Sequence, residues 1–345
     1  MASVPFTFLG YMRPADGYGY AATKIAKALR ALTLPRVNII DMADDGRIPA
    51  EPPHYSVKGT AVTLSIPPLW NITADRLLGY TMFEATRPPA SFTQNINAKA
   101  DTLLVPTPWG KTIFQESGVT IPIESVPFGI DPDDYYPLER TRNAERPYIF
   151  FWSGTPDLRK GWDLAYKAFR LAFGSRSDVA LLLHFRKTVP AGVRFNDANV
   201  DAFTGIFSLE ELRGFYQWVD CMVFPSRGEG WGLPPREAAA TGLPVIATNW
   251  GGLAYELPQW GIPLSVKRLR LAAHGYWQEG ETGEWAEPDI DHLVHLMRDC
   301  VENRDAVTAG GAQAARWLAK NATWKRTARG LMVTTALSEE EMSLC

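Results

Sequence analysis

Apolar positions along this chain fall into short runs separated by stretches with helical spacing. Residues 4–9 form an apolar run that reads as a strand, residues 11–20 carry Gly17 and Gly19, and helical spacing follows over 21–32. Strand, glycine-bearing loop and helix make the opening of a βα unit. The two glycines would let the backbone approach a ligand beside the unpaired N–H groups of a helix start; a plain tight loop is the alternative. Further strands are expected at 37–40, 61–65, 78–83, 102–105 and 123–127, with helices at 95–100 and 109–117. Strands alternating with helices predict a mostly parallel sheet covered on both faces.

Turn formers and charge cluster over 129–146 and read as a linker, after which the pattern restarts. A strand is expected at 148–152, a helix at 161–173 and a strand at 179–185. Ser208 with Glu211 three residues on is a capping box for a helix reaching about residue 218. Strands follow at 221–224 and 244–248, so the second half is a second α/β domain. Past 266 the periodicity fades into a polar stretch, 271–285, with glycines and aromatics suited to a lid or to a packed structural loop. Helices resume at 290–302, 306–320 and 324–338.

At 345 residues the chain exceeds the size at which one core keeps growing, which agrees with two domains. A content of 46% hydrophobic and 21% charged residues excludes disorder and fibrous folds. No apolar run approaches the roughly 20 residues that cross a bilayer. The first ten residues lack a basic leader, so a cytoplasmic location is expected, with peripheral attachment to a membrane left open. Cys221, Cys300 and Cys345 show neither metal-ligand spacing nor a disulfide framework. A net charge of −3, and 13 Lys plus Arg against 14 Asp plus Glu over residues 1–142, argue against a dedicated nucleic-acid binder.

The chemistry concentrates in residues 224–248, Phe-Pro-Ser-Arg-Gly-Glu-Gly-Trp-Gly-Leu-Pro-Pro-Arg-Glu-Ala-Ala-Ala-Thr-Gly-Leu-Pro-Val-Ile-Ala-Thr. A buried strand ends at Pro225, a glycine-rich loop holds Glu229, and a helix opens near Pro234 and closes at Gly242. Backbone N–H groups of Gly230, Trp231, Gly232 and Leu233 would then face an anion at a strand's carboxyl end. Glu229 and Glu237 flank that place; hydroxyl groups are their natural targets, and a sugar phosphate joined to a ribose has them on both sides. A surface loop with a glutamate stabilising the helix dipole is the alternative. His54, His184, His274, His292 and His295 form no metal triad, and no Asp-x-Asp pair ends a strand, so neither a metal nor a cofactor is expected.

The spacing of the two glutamates and its surroundings resemble the donor-site motif of glycosyltransferase family 4. Supporting stretches, in the family's order, are 80–84 (Tyr-Thr-Met-Phe-Glu), 104–109 (Leu-Val-Pro-Thr-Pro-Trp) with 117–119, and 126–132 (Val-Pro-Phe-Gly-Ile-Asp-Pro). Others are 159–162 (Arg-Lys-Gly-Trp), 205–208 (Gly-Ile-Phe-Ser), 220–226 (Asp-Cys-Met-Val-Phe-Pro-Ser) and the Gly251-Gly252 pair. The resemblance covers residues 80–258 well and the first 70 weakly.

It implies an α/β GT-B fold of two facing Rossmann-like domains, with a last helix that crosses back to the first. Residues 1–142 plus 322–345 would form the acceptor-side domain and 143–321 the nucleotide-sugar domain. It also implies a retaining, metal-independent transfer from a nucleotide-diphosphate sugar to an acceptor hydroxyl. The acceptor would be a glycan, a lipid-linked glycan or a small molecule, and a modified DNA base stays open. By the same resemblance Glu237 holds the ribose, Glu229 faces the transferred sugar, and Lys160 binds the diphosphate. Glu84 approaches the acceptor or reacting sugar, Gly205, Ile206 and Phe207 border the nucleobase, and Gly17 lies in the opening loop. The family pairs its lysine with an arginine directly after a glycine; here Thr155 follows Gly154, so Arg159, Arg13, Lys187 and Arg227 are the candidates for the second cation. A nucleotide-sugar hydrolase or epimerase, or an inactive nucleotide-sugar-binding protein, would use the same scaffold.

Overall fold

Six parallel strands build the sheet of the first unit: β1 (Phe6–Gly10), β2 (Val37–Asp41), β3 (Tyr55–Leu64), β4 (Ile72–Tyr80), β5 (Thr102–Val105) and β6 (Ile123–Ser125). They lie in the order β2-β1-β3-β4-β5-β6. The computed structural model describes residues 6–13, 16–32, 37–140, 146–273 and 282–336. Helices α1 (Gly17–Ala31), α2 (Ala90–Lys99) and α3 (Pro108–Glu116) connect the strands. On one face Leu9, Tyr11, Met42, Ala61, Ile72 and Leu77 close a core.

A second sheet contains β7 (Tyr148–Gly154), β8 (Val179–Phe185), β9 (Val200–Thr204), β10 (Cys221–Phe224), β11 (Val245–Thr248) and β12 (Ile262–Leu264). Its order is β12-β11-β10-β7-β8-β9, and all of its pairings are parallel. All seven residues of β7, Tyr-Ile-Phe-Phe-Trp-Ser-Gly, are buried, as a central strand covered on both faces requires. Helices α4 (Trp162–Phe173), α5 (Leu209–Trp218), α6 (Leu233–Ala240), α7 (Leu257–Trp260), α8 (Ile290–Glu302) and α9 (Arg304–Asn321) surround it. A separate antiparallel pair, β13 (Val266–Leu271) with β14 (Glu284–Pro288), belongs to the same unit. Cys221 and Cys300 are buried here, and burial pushes the Cys221 thiol up, which marks it as a packing residue rather than a nucleophile.

The chain then returns to the first unit through α10 (Trp324–Ala336). The Ile130 N–H donates to the Ala322 carbonyl at 2.7 Å, and Thr327 Oγ1 donates to the Pro127 carbonyl at 2.8 Å. Trp324 packs on Phe128 with ring centroids 5.4 Å apart. A Cβ on Gly129 would lie 2.1 Å from the Trp324 nitrogen, so glycine alone allows this approach. Lys24 and Lys27 both hold Asp131, at 2.8 and 2.9 Å.

The border between the units follows Asp131 rather than residue 142. Arg140 explains the shift, since its guanidinium donates to the carbonyls of Val219 and Tyr216 at 2.9 and 2.6 Å. Strands β5, β8 and β10 and helix α8 span the residues expected from the hydrophobic pattern. Helix α1 begins earlier than expected, at Gly17, because Asp16 caps it by accepting from the Gly19 N–H at 2.9 Å. Strand β4 stops at Tyr80, three residues short of the expected end. Strands β9, β12, β13 and β14 are additions to the expected set. Residues 274–281 of the polar stretch, with His274, and the end of the last expected helix, 337–338, lie outside the described residues.

Candidate functional site

The second sheet reverses its winding between β7 and β10, and open parallel sheets bind ligands outside the carboxyl ends at such a reversal. Beyond β7 the chain passes Thr155 and makes one tight turn at Leu158–Lys160, capped by the Asp157 side chain. Gly161 ends the turn with φ 73°, and a Cβ there would lie 2.0 Å from the Pro225 carbonyl oxygen. Glycine at this point therefore lets the segments leaving β7 and β10 touch. Their contact is sealed by the Arg227 N–H, which donates to the Arg159 carbonyl at 2.6 Å, with Ser226 Oγ 3.0 Å from the same carbonyl.

That seal brings the charged residues together. Lys160 Nζ lies 2.7 Å from Glu229 Oε1, and Ser226 Oγ donates to the same oxygen at 2.9 Å. Arg159, itself buried, donates to the Gly228 carbonyl at 2.6 Å and lies 3.5 Å from Glu229 Oε1. Burial pushes the Glu229 carboxyl up, but the Lys160 and Arg159 charges and the two hydrogen bonds outweigh it. The group stays an anion, below the usual carboxylate range.

The glycine-rich loop is fixed from beneath by Arg236, which is 1% exposed. Its guanidinium lies 4.0 Å from the centre of the Trp231 ring and 4.5 Å from that of Trp260. It donates to the carbonyls of Trp231, Gly232, Gly252 and Tyr255. The Gly252 N–H donates to the Glu229 carbonyl at 2.8 Å, and a Cβ on Gly252 would lie 2.2 Å from the Gly230 oxygen. Gly232, with φ 84°, is the N-cap of α6, so no side chain caps its first turn. Glu237 is the fifth residue of that helix, 7% exposed. Burial pushes the neighbouring Tyr216 phenol up and the Glu237 charge adds to it.

Across β8 and β9 the edge is aromatic. His184 bridges Ser153 Oγ at 2.8 Å and the Gly205 carbonyl at 2.9 Å, and its ring stacks on Phe207 at 4.2 Å. Burial holds the imidazole below its ordinary pKa against the Gly205 hydrogen bond, so it is a neutral platform. Ile206 is 81% exposed.

Gly17 and Glu84 belong to the first unit. Gly17 sits in the first turn of α1 with open space at its Cβ position, whereas Gly19 is the glycine pressed on the Arg13 backbone. Glu84, half-buried, lies four residues past β4. The two segments are joined by Tyr18, whose hydroxyl donates to the Met82 carbonyl at 2.9 Å and lies 3.0 Å from Thr81 Oγ1. Burial raises the Tyr18 phenol, and the Glu84 and Asp16 charges act in the same direction.

Two candidates for a second cation are committed elsewhere. Arg13 pairs with Asp16 at 2.6 Å. Arg227 is clamped by both oxygens of Asp163 at 2.8 Å and by Glu287 at 3.1 Å. Sequence reasoning missed Arg236, His184 and Tyr18 as organisers of these places. Only the position of Arg236 in the first turns of a helix beside Glu237 hinted at a role. Among the described residues no cluster of His, Cys, Asp and Glu could hold a metal ion, and no helix is long and apolar enough to cross a membrane.

Residues 146–265 match the family model described as glycosyl transferases group 1. The D-inositol 3-phosphate glycosyltransferase of Pseudarthrobacter chlorophenolicus is 28% identical over 221 residues, which is 60% of this chain and 48% of that protein. The chain thus spans about half the length of the curated relatives it matches. Sucrose-phosphate synthase from Thermosynechococcus elongatus is similar in fold, with TM-score 0.70 at 15% identity over 99% of this chain and 100% of that one. Anabaena Alr3699/HepE in complex with UDP and glucose gives TM-score 0.64 at 14% identity, covering 96% and 99%. The fold is GT-B, two Rossmann-like domains, and the family match supports the glycosyltransferase superfamily.

Proposed function

We propose that the chain transfers a sugar from a nucleoside-diphosphate donor to an acceptor hydroxyl, with retention of anomeric configuration and without a metal ion. The observation that carries this proposal is the Lys160–Glu229–Ser226 cluster, set at the strand reversal beside the start of α6. In this role the N–H groups of Gly230–Leu233 and the Lys160 ammonium take the diphosphate, and Glu237 accepts hydrogen bonds from the ribose. Gly205, Ile206 and Phe207 border the base. In the first unit Glu84 accepts a hydrogen bond from a substrate hydroxyl, and Gly17 belongs to the adjoining helix start.

Glu229, held as a paired carboxylate, suits a hydrogen bond to a sugar hydroxyl better than attack on the anomeric carbon. The acceptor oxygen then attacks on the face the diphosphate leaves. As its bond to the anomeric carbon forms, the bond to the phosphate oxygen breaks, and the acceptor proton passes to that departing oxygen. Lys160 and the helix-start N–H groups stabilise the charge that develops there. The Anabaena protein is in complex with UDP and glucose, and the Pseudarthrobacter protein carries inositol 3-phosphate in its name. UDP-sugars and polyol, glycan or lipid-linked glycan acceptors are therefore the first classes to try.

The test is NMR of the first-formed product from an α-linked UDP-sugar, run in excess chelator. An α-linked product is expected. A β-linked product removes retention, and activity restored only by one divalent ion removes metal independence.

A further inference from the structure

The amino edge of the second sheet, away from Lys160 and Glu229, gathers charge of its own. Arg146 lies just before β7, Asp220 just before β10, and Arg304 and Asp305 open α9. With Arg140 and Thr308 they line a cavity of about 140 Å³. That is smaller than the roughly 300–1,000 Å³ of pockets that hold drug-sized ligands, yet it has room for several waters or one small ion. None of these residues belongs to the donor site proposed above.

Asp220 is the anion at the centre, and two of the arginines use it up. Its Oδ2 accepts from Arg146 Nη1 at 2.6 Å and from the Ile149 N–H at 2.8 Å. Its Oδ1 accepts from Arg146 Nη2 at 3.1 Å and from Arg304 Nη2 at 2.6 Å. Arg140 turns instead to neutral groups, the carbonyls of Val219 and Tyr216 and, at 3.5 Å, the Thr241 hydroxyl. Its Nε is buried without a hydrogen-bond partner. Burial pushes the Arg140 guanidinium down to about 10, although the Asp220 charge opposes this. Among the described residues of the lining Asp305 is the other carboxylate, so three positive charges stand against two negative ones. The start of α9 adds a partial positive charge at the same place. The cavity is therefore short of one anion.

We propose that this cavity binds a phosphate-type oxyanion among Arg140, Arg146 and Arg304, at a site separate from the donor site and independent of the transfer reaction. Planar guanidinium forks suit the oxygens of a tetrahedral anion, and charge-assisted hydrogen bonds to it are the strong kind. The volume admits the phosphoryl group and leaves any organic part outside. A bound anion would tie the starts of β7, β10 and α9 to the stretch that ends at Arg140. Its occupancy is therefore read as stability.

Titration of the whole chain with inorganic phosphate, followed by phosphorus NMR and by thermal unfolding against chloride of equal ionic strength, tests this. Phosphate at about ten times its Kd should raise the Tm by about 3–6 °C. Glycerol 3-phosphate runs in parallel: equal or tighter binding assigns the site to phosphoryl groups at large, and binding of the free ion alone assigns it to inorganic phosphate. Arg304→Gln should weaken phosphate about 10- to 100-fold, the loss of one charge-assisted contact. Thr308 is exposed and its hydroxyl donates only to the Arg304 carbonyl of its own helix, at 2.8 Å. Thr308→Glu therefore brings a carboxylate to the cavity with every arginine in place, and repulsion should weaken phosphate by a similar factor. Thr308→Gln should bind as the parent does, which separates charge from a folding defect. No phosphate-specific shift in the parent, affinity unchanged in both Arg304→Gln and Thr308→Glu, or an equal loss in Thr308→Gln would each overturn the site.

Discussion

The carboxyl edge of the second sheet has two halves built on opposite principles. The segment leaving β10 is buried throughout, residues 225–232, and tied to its surroundings by backbone contacts that only glycine permits at Gly161 and Gly252. The segment leaving β9 is more open, with Ile206 81% exposed and Phe207 stacked on His184 and Phe215. On the function proposed above, the fixed half would meet the charge that develops during transfer and the open half would meet the flat base. Preorganised donors act without reorganisation at the moment of reaction, whereas stacking tolerates variation in the ring stacked.

The comparison breaks most visibly if the fixed half is loosened from beneath. Arg236→Met keeps the volume but leaves the carbonyls of Trp231, Gly232, Gly252 and Tyr255 without their donor. Each abandoned buried acceptor costs about 1–3 kcal/mol, so a loss of at least about 3 kcal/mol is expected in urea unfolding followed by tryptophan fluorescence. A variant as stable as the parent would mean that the loop holds itself and Arg236 is incidental.

Lys160→Ala tests the same half at the level of chemistry. Turnover of the sugar donor should fall about 100- to 1000-fold, the usual cost of removing one preorganised partner of a developing oxyanion. Nucleoside affinity measured alongside should stay within a few-fold, and a turnover near that of the parent would remove Lys160 from the reaction.

The open half should yield the smallest change. Phe207→Ala removes one face of a stack and should cost about 0.5–1.5 kcal/mol in nucleotide affinity with little effect on the rate of bound donor. Comparing two nucleobases sharpens the contrast further. If the variant loses one base selectively by more than about 100-fold, well beyond what one stacked ring supplies, this edge is a rigid reader after all.

The difference between the halves also accounts for what the sequence disclosed. The loop around Glu229 and the helix start at Leu233 were legible because glycines, prolines and acids at short spacing write them into one continuous stretch. Buried strands such as β8 and β10 announce themselves by uninterrupted apolar runs. β9, Val-Asp-Ala-Phe-Thr, is only partly buried and β13, Val-Lys-Arg-Leu-Arg-Leu, is largely exposed, and neither an apolar run nor a clean alternation survives in them. Gly17 and Gly19 look like loop formers, yet the Asp16 cap draws both into a helix. Arg236 meets Trp260 and Gly252, and Arg140 meets the Val219 and Tyr216 carbonyls, only after the chain has folded, so no local pattern could reveal either.

The return of α10 to the first unit bears on how the molecule is made. Phe128, Gly129 and Ile130 find their partners at Trp324, Thr323 and Ala322. A ribosome adding about 5–20 residues per second needs roughly ten to forty seconds to synthesise the stretch between them. During that interval the first sheet must wait with the patch around Phe128 and α1 uncovered, while the second unit can already close on itself. Birth order and completion order are therefore reversed: the domain translated first is completed only after the second, when α10 emerges to cover the apolar seam.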